Sequence, residues 1–225
     1  MDFQTLMGKV GDLGVAISNY LGDSAWLKAL QNVVNGLDWL KARYHQGPYK
    51  VLDYEAALEL RDKHGYRAFV SKYEKVQYLQ DDVIAFQDQA WGDGKILKKY
   101  NCTPGLPVDT YRSGFKNHIL VSLRGARKTG DIDEFHISWE IRDGFLRHVG
   151  YWATEICHYT EKIKMRVIFP KGRPPQSASV IQKNQRKATP LGSSSFVTLP
   201  GGRQEIVWEK VQPKLFEQYI LQWKW

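Results

Sequence analysis

The sequence predicts a mainly β protein: an antiparallel β-sandwich over residues 48–225, preceded by an α-helical hairpin over residues 1–47. Three observations carry this. Apolar residues recur at helical spacing up to about residue 45 and at every second position beyond Pro48. Eight or more short alternating runs follow, separated by turn signals and without helical patterns between them. Aromatic residues make up 13% of the chain, including 8 Trp and 12 Tyr, and flat rings pack well on a pleated surface.

The hairpin is read from two stripes. Phe3, Leu6, Met7, Val10, Leu13, Ile17 and Leu21 follow i, i+3, i+4, i+7 spacing. After a break at Gly22, Asp23 or Ser24 caps a second helix, whose stripe is Trp26, Leu30, Val33, Leu37 and Leu40, and Gly47-Pro48 ends it. The opposite face of the first helix carries Gly8, Gly11 and Gly14. Each interior glycine costs about 1 kcal/mol relative to alanine. Close helix–helix approach, packing on the β domain or insertion into a membrane interface would offset that cost. Phe3, Leu6, Val10 and Ile17 are the expected assembly or membrane-docking stripe.

Beyond Pro48 the strands are read in order. Glu55–Leu60 is strand from its context, and Asp62-Lys63-His64-Gly65 is a hairpin turn with Gly65 supplying positive φ. Tyr66–Gln80 is a long strand and Asp82–Trp91 another, closed by Gly92-Asp93-Gly94. Cys102–Pro107 reads as a loop. Ile119, Val121 and Leu123 share one face, as do Phe135, Ile137, Trp139 and Ile141. The stretch from Trp152 to His158 alternates, and so does Ile163–Phe169, where Lys162, Lys164 and Arg166 take the other face. Three prolines between Pro170 and Pro175 stop that strand. Gln176–Ser195 is polar and basic, Pro200-Gly201-Gly202-Arg203 is a turn, and the last strand places Tyr219, Leu221, Trp223 and Trp225 on one face.

Charge narrows the functions. The net charge is +8, and the segment from Glu161 onward holds 12 Lys/Arg against 4 Glu, so the whole excess lies there. Such a surface attracts phosphate, anionic lipid or an acidic partner. The candidate anionic-partner residues are Arg124, Arg127 and Lys128 in one connection, Lys171 and Arg173 in a second, and Lys183, Arg186 and Lys187 in a third. They are the basis of an alternative role in nucleic-acid binding.

Catalytic signatures are missing. No GxSxG elbow, Walker pattern or GxGxxG after a strand occurs. Cys157 and His158 are neighbours on an expected strand, so their side chains should point to opposite faces. His136, His148 and His158 lie near neighbouring strands without zinc spacing. No catalytic residue, metal or cofactor is expected. The two cysteines, Cys102 and Cys157, read as reduced thiols. No run reaches the roughly 20 apolar residues of a spanning helix. The expected location is cytoplasmic, with peripheral membrane contact through the hairpin.

The run Val167-Ile168-Phe169-Pro170-Lys171-Gly172-Arg173-Pro174-Pro175, then Leu199-Pro200-Gly201-Gly202-Arg203, and the tail Tyr219-Ile220-Leu221-Gln222-Trp223-Lys224-Trp225 resemble the end of an uncharacterised bacterial β-sandwich module found with signalling or defence proteins. The resemblance spans residues from about 50 onward. It implies a binding or effector role and brings no catalytic residues. The expectation is therefore a non-enzymatic interaction protein. Its partner is a protein or a second copy, with an anionic membrane surface or nucleic acid as the other candidates.

Overall fold

Turn residues and alternation together set the strands. The computed structural model describes residues 47–225. Fourteen strands follow one another: β1 (Tyr49–Leu60), β2 (Arg67–Tyr78), β3 (Val83–Ala90), β4 (Lys95–Thr103), β5 (Leu106–Ser113), β6 (Lys116–Arg127), β7 (Ile132–Arg142), β8 (Val149–Glu155), β9 (Lys162–Ile168), β10 (Ser177–Gln182), β11 (Lys187–Pro190), β12 (Phe196–Thr198), β13 (Gln204–Val211) and β14 (Gln218–Lys224). They form a seven-stranded sheet ordered β12-β13-β9-β1-β2-β7-β4, a four-stranded sheet β11-β10-β14-β8 and a three-stranded sheet β3-β6-β5. The mainly β expectation holds. The helical hairpin, with Phe3, Leu6, Val10 and Ile17, lies outside the described residues.

Both smaller sheets pack on the large one. Phe86 of β3 stacks on Phe135 of β7 with ring centroids 4.0 Å apart, and Trp223 of β14 meets Phe169, just past β9, edge-on at 5.7 Å. Inward residues of all three sheets join one core, including Leu58, Val70, Val121, Ile137, Met165 and Leu221. The solvent face of the large sheet carries a cross-strand charge ladder. Arg166 pairs with Glu55 at 2.9 Å and with Glu205, and Lys162 and Lys164 reach Glu209 at 3.4 and 3.3 Å. Part of the C-terminal basic excess is therefore neutralised within the sheet.

Three expectations need correction. The sheets are not wholly antiparallel, because β1 and β9 run parallel, with Tyr54 opposite Ile163 and Glu59 opposite Ile168. The cause is a crossover: the chain leaves the four-stranded sheet after β8, bridges Val51 at Thr160, and enters the large sheet beside β1 in the same direction. The strand read over Trp152–His158 ends at Glu155, so Cys157 and His158 lie in that crossover. Cys102–Pro107 is not a loop but a tight turn at Pro104-Gly105 between β4 and β5.

Candidate functional site

The inner face of the large sheet is apolar except where charged residues enter it on β2. The inward positions of β2 are Ala68, Val70, Lys72, Glu74, Val76 and Tyr78, all buried. In β3 they are Phe86, Asp88 and Ala90. Period two thus carries two charged residues of β2 and one of β3 into the core. Their side chains are 7% exposed at Lys72, 10% at Glu74 and 1% at Asp88.

These three groups meet. The Lys72 ammonium lies 2.9 Å from Glu74 Oε1 and donates to Asp88 Oδ1. Its charge also faces the rings of Tyr54, at 5.5 Å, and Trp139, at 5.9 Å. Asp88 is fully engaged: Tyr100 Oη donates to it at 2.9 Å and the Gln89 amide at 2.8 Å. Burial alone would lower the Lys72 pKa, but Asp88 and Glu74 hold it well above its usual value. Burial pushes Glu74 up, against the pull of Lys72. One ammonium is thus shared by two carboxylates, so the trio carries one negative charge in excess.

The trio floors a cleft of about 540 Å³ where the three-stranded and four-stranded sheets part, between β3 and the end of β8. That volume suits a small ligand. Its walls are aromatic, from Trp91, Trp139 and Trp152, and the Trp139 Nε1 donor is buried without a partner among the described residues. At the rim Lys116 pairs with Glu155 and lies 5.2 Å from the centre of the Trp91 ring. Thr154 Oγ1 donates to Tyr54 Oη at 3.1 Å, tying β8 to β1. The lining charges are Lys72 and Lys116 against Glu74, Asp88 and Glu155, one negative charge in excess.

Cys157 and His158 both line this cleft. Their side chains engage different neighbours. Gln89 Nε2 donates to Cys157 Sγ at 3.0 Å, and burial pushes the thiol up. The His158 ring packs at a tilt against Tyr49, with centroids 4.3 Å apart, and burial lowers its pKa to about 4. Its Nδ1 is buried without a partner among the described residues. His136 lies against Tyr73, and His148 Nδ1 meets Arg173 at 3.5 Å, so the three histidines do not converge. No group of three potential metal ligands occurs among the described residues.

The basic residues singled out from the sequence do not form one patch. Arg124 lies inside β6 at a register irregularity, with φ of 60°, rather than in a loop. Arg127 is held by Asp133 at 2.7 Å, and the Lys128 amide bonds Asp131. Arg173 stacks over Trp225 at 3.8 Å and donates to the Lys63 carbonyl in the β1–β2 turn. The Asp131 carbonyl meets Tyr78 at the other end of β2, roughly 35 Å away at about 3.3 Å per residue. Lys171 follows β9 beside Gly202, and Lys183, Arg186 and Lys187 flank the β10–β11 turn.

The sequence reading missed the buried trio. The signal was present: once Ala68, Val70, Val76 and Tyr78 define the inward face of β2, Lys72 and Glu74 must share it.

No protein-family model matches the chain, and no curated protein matches it. Among solved structures it is similar to an M1 zinc metallopeptidase from Deinococcus radiodurans, at 11% identity and a TM-score of 0.44, over 77% of this chain. A mutant of that enzyme gives 11% identity and a TM-score of 0.45 over 78% of this chain. The mutant bound to a Tyr-Ser-Ala substrate gives 12%, 0.44 and 77%. The chain spans 42% of the length of each.

Proposed function

We propose that the β domain is a recognition module rather than an enzyme, and that its cleft takes a single positively charged amine borne on an apolar body. The observation that carries this reading is the charge of the buried floor. One ammonium, Lys72, is shared by two carboxylates, Glu74 and Asp88, which leaves one negative charge in excess at the buried floor. An uncompensated charge of this kind is costly in a low-dielectric site, and an incoming ammonium would relieve it. Tryptophan faces on the walls suit a cation and its hydrocarbon alike. The raised thiol of Cys157 and the lowered imidazole of His158 argue against a nucleophile and base.

Affinity should depend on pH with a definite sign. Glu74 must be ionised to receive an ammonium, and burial raises its pKa. Binding therefore strengthens as pH rises through the raised Glu74 pKa, and it releases a proton below that point. Fluorescence titration with phenethylamine tests the reading. Saturable quenching that Glu74→Gln weakens about tenfold supports it. Equal response to phenethyl alcohol would overturn it.

The assembly or membrane role of Phe3, Leu6, Val10 and Ile17 rests on the sequence pattern. Removing residues 1–46 and measuring oligomeric state and liposome binding tests that role separately. Unchanged behaviour of the shortened chain would end it.

A further inference from the structure

A second site lies on the solvent face of the large sheet and shares no lining residue with the cleft. Arg67 of β2 stands directly opposite Arg142 of β7, and Arg142 directly opposite Lys95 of β4. Directly paired strand residues project from the same face, and neighbouring strands are about 4.8 Å apart, so three cations form a row. Like charges set opposite one another destabilise a sheet.

A bulge adds a fourth. In a regular strand Lys95 and Lys98 would point to opposite faces. Here β4 carries an extra residue: Lys95 pairs with Arg142 and Lys98 with Glu140, three steps against two. Leu97 takes φ of 60°, Ile96 and Leu97 both pack against the core, and both lysines fall on the outer side. Lys95, Lys98, Arg67 and Arg142 then line one open recess of about 490 Å³, with His64, Tyr66, Asp62 and Asp143.

The carboxylates nearby do not balance this row. Asp62 accepts backbone N–H groups from His64, Tyr66 and Arg67 at 2.9, 3.2 and 2.7 Å, and lies 3.8 Å from Arg67 Nε. Glu140 binds Lys99 at 2.8 Å and reaches Arg142 only at 3.9 Å. Lys95 and Lys98 have no ion pair among the described residues. Four Lys and Arg cations against Asp62 and Asp143 give the recess an excess of two positive charges. The ladder on β9 shows the contrast, since there each cation has a carboxylate within 3.4 Å.

We propose that this recess binds a phosphate monoester dianion carried by a small soluble molecule, held by Arg67, Arg142, Lys95 and Lys98. A dianion matches the excess charge. Arg142, at the centre of the row, offers the planar donor fork that suits phosphate oxygens.

The test is calorimetric titration of the full chain with inorganic phosphate at low ionic strength. One saturable site is expected, weakened about tenfold or more by Arg142→Gln and by Lys98→Gln. Lys214→Gln removes one charge away from the recess and should leave binding unchanged. Should Arg142→Gln fail to fold, Lys98→Gln, at the exposed bulge, gives the answer alone. Lack of saturable binding at tens of millimolar overturns the proposal. So does equal weakening by Lys214→Gln, which would reveal only net charge. A parallel arm uses phosphatidylcholine vesicles containing phosphatidic acid. Capture by those vesicles without saturable binding of phosphate would overturn the assignment to a soluble ligand.

Discussion

Glu74 Oε1 lies 2.9 Å from the ammonium of Lys72, two residues back on the same strand, and both side chains point into the core. Neighbours two apart on a strand share a face, so this contact is built into β2 itself. Asp88 completes it from β3, in a different sheet. The trio therefore ties the three-stranded sheet to the large one at the floor of the cleft.

Removing one member should cost more than the trio contributes as a whole. Lys72→Met leaves two buried carboxylates facing each other, and loss of about 3 to 5 kcal/mol is expected from urea unfolding. Replacing all three by apolar residues of similar size should restore most of that loss. A small effect of Lys72→Met would mean that water reaches the floor freely.

His158 makes stability depend on pH in the acid range. Its folded pKa of about 4 lies below the ordinary 6.5, so the unfolded chain takes up the proton first as pH falls. The contribution is complete above about pH 6.5 and is lost progressively down to about pH 4, amounting to about 3 kcal/mol. His158→Phe keeps a ring against Tyr49 and should flatten that part of the profile. Thermal unfolding from pH 4 to 7 measures it.

Gly150 is a packing position rather than a turn. A Cβ there would lie 2.4 Å from the Trp223 ring, which is fully buried between Phe145 and Phe169. Gly150→Ala should destabilise by about 1 to 3 kcal/mol through overpacking. Gly114→Ala has open space around it, but φ of 60° still costs about 1 kcal/mol. Chemical unfolding of the two variants separates crowding from backbone strain.

Cys157 should react slowly with iodoacetamide at pH 8. Burial raises its pKa and keeps it mostly protonated. Mass-spectrometric kinetics would show alkylation slower than that of free cysteine. Rapid alkylation that depends on His158 would contradict this expectation and point to an activated thiol.

Much of the architecture was legible because large apolar residues mark the inward faces. Phe135, Ile137, Trp139 and Ile141 are buried as their spacing implies, and so are Tyr219, Leu221, Trp223 and Trp225. Strands without such markers escaped. Every position of β5 from Val108 to Ser113 is exposed, leaving it no apolar face to read. The alternation of β4 is broken by its bulges, and β10 buries only Ala178 and Val180. The parallel β1–β9 pairing depends on a crossover between sheets, which periodicity does not encode. The cleft was hidden for a related reason: its charged floor sits at positions that hydrophobic patterning treats as errors, although register alone would have placed them inside.

The central claim is that the cleft receives an amine above Glu74. The indole region of a ¹H–¹⁵N spectrum reads it most directly, since the chain has 8 tryptophans and the buried Trp139 Nε1 donor has no partner among the described residues. Titration with phenethylamine should shift the Trp139 and Trp152 indole signals saturably, leave Trp223 and Trp225 in place, and need about tenfold more amine in Glu74→Gln. Signals that move together without saturation, or that shift equally in the variant, would contradict the account.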